Sequence, residues 1–243
     1  MFLASPYSLD IQNIGLSLYY NREKTTAHHD GKGGSPMKYK ETGFRAFYKK
    51  FTVFMFTDTL REVTKNFPGA EQGNCILTYG YIDRFAGLTL EILAVGVAEK
   101  DNVTFFDGTD TYRSFLRIGA VMEQEFFALR DEDGSLYAEH ATKIEQLHHY
   151  DASQEVEQTR QMNFLDASRD PSYIDDVLVY LFKESLSPEG CWVRITGLEE
   201  HSLKGTLLNE PDQNFGCHSG EELSFFVQQN QDKQFFCCCV LTT

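Results

Sequence analysis

Hydrophobic positions along this chain follow one pattern up to about residue 170 and a different pattern after it. Before that point, apolar runs typical of strands alternate with stretches of helical spacing. The predicted strands are 51–56, 75–82, 88–98 and 103–106, and the predicted helices are 59–67, 111–129 and 137–150, with a short one at 44–48. After Pro171 only short strands are predicted, at 176–182, 192–196, 202–208, 223–228 and 235–241. Five short strands in about 70 residues indicate a small antiparallel barrel or a strongly bent sheet.

Three local signals make predictions that a structure can test. Thr59 and Glu62 have capping-box spacing at the start of the helix 59–67. Residues 151–160 are very polar and are interpreted as helical or hinge-like, and 163–165 as a short strand. The helix 111–129 is predicted from apolar residues at helical steps, namely Phe115, Met122, Phe126 and Leu129.

The two patterns divide the chain and predict an α+β fold. The segment 21–36 is polar, with three Gly and a Pro near its end, and residues 1–36 are interpreted as a flexible N-terminal extension in which His28 and His29 are solvated. An α+β domain is predicted over 37–165 and a small antiparallel β module over 171–243. The loop between them is short, so the two parts are expected to pack together.

Charge narrows the classes of partner. The 243 residues carry 22 Lys and Arg against 36 Asp and Glu, a net charge of −14 at pH 7. That field repels phosphate backbones, which argues against nucleic acid and favours a protein partner. The chain has no signal-peptide pattern and no run of 18 apolar residues, so no membrane association is expected and a cytoplasmic location is predicted.

Six cysteines, three of them consecutive at 237–239, fit a reducing compartment better than a disulfide framework. Neighbouring residues of a strand point to opposite faces, so the consecutive cysteines do not form a simple set of bridges. Buried free thiols are therefore expected.

The most patterned stretch of the chain is 191–227, and it holds the candidate binding residues. Asn209 and Glu210 stand before Pro211 at a predicted strand end, where they either present an amide and a carboxylate to a ligand or simply cap the turn. Cys217 and His218 are neighbours in a loop. Trp192 and Arg194, on one face of the preceding strand, complete the set.

No motif for nucleotide, zinc-hydrolase or serine-hydrolase chemistry occurs, so no catalytic residue, metal ligand or cofactor is assigned. Glu123 and Glu125 are two apart on a predicted helix and do not face each other. His140 and His148 lie two turns apart and share a helix face in this prediction. A zinc pair at i and i+4 is missing, because residue 144 is Ile144.

The segments CWVRITG at 191–197, GTLLNEP at 205–211 and GEELSFF at 220–226 resemble a small β module of bacterial proteins of unknown function. The preceding stretch LDASRDPSYIDDVLVYL is similar to the segment before that module in a larger uncharacterised family. The resemblance implies a fold and brings no catalytic residues. Relatives of the module are associated with toxin-immunity loci, which implies protein binding.

These observations lead to a first hypothesis, a non-enzymatic bacterial binding or regulatory protein, possibly toxin-immunity-like, that uses its acidic surface. The alternative is a hydrolase or metal-dependent enzyme built on Glu210, Cys217 and His218, with His140 or His148 contributed by the first part. A third hypothesis is a subunit that associates through exposed aromatic residues such as Phe225 or Phe235. The oligomeric state does not follow from the sequence.

Overall fold

The protein has an α+β fold of two sheets with short helices, as predicted. The computed structural model describes residues 35–99, 102–109 and 111–242, so His28, His29 and most of the predicted extension lie outside the described residues. The strands of the first sheet are β1 (Phe51–Met55), β2 (Cys75–Asp83), β3 (Gly87–Glu99), β4 (Asn102–Phe105), β5 (Phe115–Arg117) and β6 (Phe126–Leu129). Those of the second are β7 (Asp176–Lys183), β8 (Glu189–Leu198), β9 (Leu203–Leu207), β10 (Glu222–Gln229) and β11 (Phe235–Leu241).

The helices are short. The α-helices are α1 (Tyr39–Thr42), α2 (Asp58–Thr64), α3 (Ile118–Val121), α4 (Ser135–Glu139), α5 (Ala141–Leu147) and α6 (Gln154–Arg160). Within the described residues, 3₁₀ helices cover Phe44–Ala46, His148–Tyr150 and Asn163–Ser168. The predicted cap of α2 is wrong by two residues, because Thr57 stands at the N-cap and accepts a hydrogen bond from the Leu60 amide. The predicted strand at 163–165 is part of a 3₁₀ helix instead.

The first sheet is antiparallel, in the order β4-β3-β2-β1-β6, with β5 also paired to β3. One face packs on an aromatic core in which the rings of Phe47 and Phe126 lie 4.3 Å apart between centroids. The opposite face is covered in part by α5 through Ile144. Both faces of β3 are therefore buried, which explains its nearly continuous apolar sequence.

The predicted helix 111–129 is wrong. This stretch forms β5, the single turn α3 and β6. Thr89, Leu90 and Glu91 of β3 pair with β5, and β1 takes β6 as its neighbour, so pairing with distant strands overrides the local helical spacing. Glu123 and Glu125 consequently lie between α3 and β6 and not on a long helix.

The second sheet is a closed barrel in the order β10-β11-β7-β8-β9, which confirms the barrel expected from five short strands. Four strand pairs are antiparallel, but β7 and β11 run parallel. An odd number of strands that alternate in direction leaves the first and the last pointing the same way, so closure requires one parallel pair. The alternation predicted for β8 is also confirmed, since Val193 and Ile195 are buried inside while Trp192 is exposed.

A buried ion-pair network joins the barrel to the first sheet. Arg160, at the end of α6, has no solvent exposure, and its guanidinium donates to both carboxylate oxygens of Asp175 at 2.9 and 2.7 Å. Its Nη1 donates to the hydroxyl of Tyr48 and to Glu157 Oε1, each at 2.8 Å. Since Tyr48 precedes β1 and Asp175 precedes β7, the two parts pack together through this cluster.

Candidate functional site

Four of the predicted binding residues meet at the loop 208–221, which connects β9 to β10. The Asn209 side chain accepts a hydrogen bond from the Trp192 amide at 2.7 Å, and the Leu208 amide donates to the Trp192 carbonyl at 2.8 Å. Asn209 thereby continues the β8–β9 pairing past the end of β9. Pro211 follows and is buried. Asn209 therefore caps the turn, which is one of the two roles that the sequence left open.

Glu210 joins the two ends of this loop. Its Oε1 lies 2.7 Å from His218 Nδ1, and its Oε2 accepts a hydrogen bond from the Ser219 amide at 2.9 Å. On the return side, the Gly220 amide donates to the Leu207 carbonyl at 2.7 Å. Both side chains of the Glu210–His218 pair are mostly exposed. The pair therefore fixes the loop at the surface and does not line a cavity.

Hydrogen bonds keep the carboxylates of this surface ionised. The bond from His218, followed by that from the Ser219 amide, lowers the pKa of Glu210. Glu189, at the start of β8, accepts amide hydrogen bonds from Asp212 at 2.6 Å and from Gln213 at 3.2 Å, and the Asp212 amide is the main cause of its lowered pKa. Residues 205–222 contain no Lys or Arg. The loop is therefore an acidic surface with a fixed backbone.

Trp192 stands beside this acidic loop and is 37 % exposed. It is the only tryptophan of the chain. Its backbone is held by Asn209 and Leu208, and across the β7–β8 pair it faces Leu178. An exposed tryptophan whose backbone is hydrogen-bonded to the acidic loop is the notable feature of this end of the barrel.

Arg194 does not join this surface, although it lies on the same face of β8. Its guanidinium makes a two-point ion pair with Asp176 of β7, at 2.6 and 2.8 Å. It also stands 5.8 Å from the ring centre of Phe85, in the β2–β3 turn. Arg194 is thus occupied in fastening the barrel to the first sheet.

The side chains of Cys217 and His218 point in different directions. Cys217 is buried in the barrel core, and this burial is the main cause of its raised pKa. His218 is exposed and turned towards Glu210. A nucleophilic cysteine needs a stabilised thiolate within reach of its base, and this arrangement offers neither. All six cysteines are free and buried, which confirms the expectation of buried thiols.

The histidines of the first part do not share a face. His140 is buried, whereas His148 is exposed and lies 2.8 Å from Asp151 through its Nδ1. The predicted common face fails because the helical stretch is broken into α4, α5 and a 3₁₀ turn. Within the part of the chain that the structure describes, no group of three or more His, Cys, Asp or Glu side chains is arranged to hold a metal ion.

The contact between Glu210 and His218 predicts a measurable pH response. In an NMR titration, the pKa of His218 is expected to lie above its ordinary value of 6.5, because the Glu210 carboxylate favours the imidazolium. The ion pair stabilises the loop between the lowered pKa of Glu210 and the raised pKa of His218. Its contribution is lost as the pH rises through the His218 pKa or falls through the Glu210 pKa.

Glu210→Gln is expected to bring the His218 pKa back towards 6.5. Glu200→Gln, a matched change in the β8–β9 turn, is expected to leave the His218 titration as it was. The same His218 titration curve with and without the Glu210 carboxylate would contradict the assigned contact.

Sequence reasoning missed an open groove on the outer face of the barrel, with a volume of about 700 Å³. Tyr180 and Phe235 belong to it, and both are exposed. The signal lay in β7, where Leu178, Tyr180 and Phe182 alternate with the buried core residues and so point outwards. Apolar residues on both faces of a strand indicate that its outer face is also covered or binds something.

Together, the fold and this surface define an α+β protein with a closed five-stranded barrel and an acidic loop surface around one exposed tryptophan. Comparisons with protein-family models, with curated proteins and with solved structures found no match. The resemblance to a bacterial β module therefore stays a prediction. Over residues 35–99, 102–109 and 111–242, none of the helices combines the length and apolar content needed to cross a membrane.

Proposed function

We propose that this protein is a non-enzymatic binding protein, of a regulatory or toxin-immunity-like kind, whose partner is a basic protein. The contact surface in this proposal is Trp192 with the acidic loop 208–221. The observation that carries the proposal is the juxtaposition of an exposed, backbone-anchored tryptophan with ionised carboxylates in a loop that is tied at both ends.

A tryptophan of this kind has the properties of an interface anchor. Trp is enriched among the residues that dominate binding energy, because its large ring is buried at little cost in conformational entropy. An Arg or Lys of the partner that stacks on the indole would gain about 0.5–2 kcal/mol from the ring face. The carboxylates of Glu210 and Asp212 lie in the adjoining loop, where they attract the same cation.

A loop that is already fixed also lowers the entropic cost of binding a partner. Glu210 and Asn209 already hold the loop in one conformation through hydrogen bonds to His218, Ser219 and Trp192. Ordering a loop upon binding costs about 0.5–1.5 kcal/mol for each immobilised side chain, and a preformed loop avoids much of that cost.

The charge of the barrel supports a basic partner. Residues 171–243 carry 11 Asp and Glu but only four Lys and Arg. Of those four, Arg194 is paired with Asp176, and Lys204 lies 3.0 Å from Glu199 and 3.6 Å from Glu222. The remaining negative field would accelerate encounters with a basic protein and would weaken as salt is added.

Retention of a partner on the immobilised protein is therefore expected to depend on salt and on this surface. A partner captured from extract of the source cells at low salt is expected to be released at about 0.5 M NaCl, where the screening length falls to about 4 Å. Asp212→Lys is expected to reduce capture strongly, because Asp212 is exposed and its side chain faces solvent. Glu132→Lys makes the same charge change at an exposed position in the first part and is expected to retain the partner. Equal capture by the two variants would contradict the proposed surface.

A further inference from the structure

The groove on the outer face of the barrel has the size and composition of a small-molecule site. Its volume of about 700 Å³ falls within the roughly 300–1,000 Å³ of ligand pockets. The 3₁₀ helix Asn163–Ser168 forms one wall, and the turn between β10 and β11 forms the other. Seven of the twelve residues that line it are apolar or aromatic, four are polar and neutral, and one is charged. Ligand sites combine an apolar lining with a few polar groups in this way.

Aromatic rings provide most of the apolar surface of this groove. The ring centroids of Phe164 and Phe235 lie 5.8 Å apart with the planes tilted by 49°, and those of Tyr180 and Phe236 lie 6.2 Å apart in an edge-to-face arrangement. Tyr180 is 38 % exposed and Phe235 is 42 % exposed, so ring surface is open to solvent. A flat aromatic ligand gains here both from burial and from further ring contacts of the same kind.

The exposed apolar area suits a small molecule and not a protein. A fully buried aromatic side chain removes about 150–250 Å² from water, so two rings that are about 40 % exposed offer roughly 60–100 Å² each. A stable protein interface uses about 800 Å² for each partner, which is far more. A ligand of a few rings needs only the area that the two walls of the groove supply.

One positive charge stands in this groove without an acidic residue beside it in the lining. Lys233 is the one charged residue among those that line it. Its sequence neighbour Asp232 is exposed and does not line the groove. Among the described residues, none forms an ion pair with the Lys233 ammonium. The other basic side chains of the barrel are engaged with backbone carbonyls or with carboxylates, namely Lys183, Arg194 and Lys204.

The turn that carries Lys233 is held in a fixed conformation. Lys233 has a φ of 62°, in the left-handed region that residues with a side chain adopt only at an energetic cost. Its amide donates to the Asn230 carbonyl at 3.0 Å, and its carbonyl accepts from Gln229 Nε2 at 2.8 Å. The Gln234 amide donates to Asn230 Oδ1 at 2.9 Å. Strained residues that are held by their surroundings in this way concentrate at ligand-binding sites.

We propose that this groove binds a small aromatic molecule that carries one negative charge. The flat body of such a ligand lies on the rings, and its carboxylate or sulfonate group accepts hydrogen bonds from the Lys233 ammonium. Several negative charges on the ligand are disfavoured, because the chain has a net charge of −14 and the groove offers one cation. The exposed side-chain amides of Asn163 and Gln234 provide further hydrogen bonds for polar substituents.

This ligand site is separate from the protein-binding surface at Trp192. The loop 208–221 precedes β10, and the turn 230–234 follows it. The eight residues of β10 span about 23 Å at the usual rise of a strand. The two surfaces therefore lie at opposite ends of this strand, and either proposal can fail without the other.

Two fluorescent probes that differ by one charge test the site on the full chain. The monoanion 8-anilinonaphthalene-1-sulfonate is expected to bind saturably at one site, with a Kd on the order of 10–100 µM. N-phenyl-1-naphthylamine has the same rings without the sulfonate. Lys233→Gln is expected to weaken the monoanion about fivefold and the neutral probe by less than about twofold. Lys40→Gln makes the same charge change at an exposed position of the first part and is expected to leave both affinities unchanged.

The contribution of the rings is measured with the same two probes. The double variant Tyr180→Thr/Phe235→Thr, which keeps strand-forming residues, is expected to weaken both probes about tenfold. Phe85→Thr removes an exposed ring outside the groove and is expected to leave both affinities unchanged. Circular dichroism of each variant establishes that it is folded.

NMR locates the bound probe independently of the variants. Amide chemical-shift changes caused by the monoanion are expected in the two walls of the groove, at 163–168 and 230–236, and not in the loop 208–221. The proposal would be overturned by binding that does not saturate, by shift changes outside the groove walls alone, or by wild-type affinity in the double variant. An equal effect of Lys233→Gln on the two probes would overturn it as well.

Discussion

Arg160→Met is expected to lower the free energy of unfolding by about 3–5 kcal/mol. Arg160 is fully buried, and its removal leaves the Asp175 carboxylate without its two-point ion-pair partner in a low-dielectric interior. Burial alone would lower the pKa of Arg160, but the hydrogen bonds and charge of Asp175 outweigh it and raise that pKa, so Arg160 keeps its charge. Urea or guanidinium denaturation measures the loss.

Two comparison variants separate the ion pair from general effects of the substitution. Arg130→Met removes an exposed arginine in the first part and is expected to change stability by less than about 0.5 kcal/mol. Arg160→Met combined with Asp175→Leu removes both charges and is expected to recover part of the loss, since uncompensated burial of a charge is the main cost. A double variant less stable than Arg160→Met alone would show that the cost comes from packing instead.

Phe225→Ala is expected to cost about 3–5 kcal/mol. Phe225 has no solvent exposure and packs in the barrel core, next to Leu203 across the β9–β10 pair. Removal of the ring deletes buried contacts and leaves a cavity that a closed barrel has little freedom to fill. The idea that Phe225 forms an exposed oligomer contact is therefore wrong, because the register of β10 points it inwards.

Phe235→Ala is the matched control for this prediction. It deletes the same ring from a position that is 42 % exposed, and the expected loss at low protein concentration is about 1 kcal/mol or less. Similar losses from the two substitutions would contradict the inward register of Phe225.

The barrel strands could be predicted from the sequence because the signals for them lie within each strand and in the turns beside it. Inward and outward residues alternate clearly in β8 and β9, and turn residues separate the five strands, so their predicted bounds are close to the observed ones. The parallel closure of β7 on β11 also follows from their number. Pro211 at a strand end was a reliable signal of the same kind, since its ring removes a ladder donor.

The first sheet was less predictable because its strands depend on distant partners. β5 has three residues and is stable only through β3, about 25 residues earlier in the chain. Its sequence includes Phe115, whose spacing to Met122 and Phe126 also suits a helix. The sequence alone does not decide between strand and helix in this stretch. The edges of β3 and β1, with which β5 and β6 pair, exist only in the folded molecule.

The candidate site was found in part. The motif at 209–211 and the neighbouring His218 proved to lie together, because both flank one loop and Glu210 bridges it. Arg194 and Cys217 were separated from them by contacts that no local pattern encodes, an ion pair with Asp176 and burial in the barrel. The buried Arg160 was missed altogether, since its partner Asp175 lies beyond a 3₁₀ helix and a loop.

Site-directed photocrosslinking at position 208 tests the proposed binding surface most directly, because Leu208 is exposed beside Trp192 and its replacement leaves Trp192 in place. A benzoylphenylalanine placed at Leu208 is expected to give a discrete crosslinked product with a basic protein in the source cells. The yield of that product is expected to fall with Asp212→Lys. The same photoreactive residue at Tyr112, an exposed aromatic of the first part, is expected to give no such product. Absence of a product at position 208, or identical products at both positions, would contradict the assignment of this surface to a protein partner.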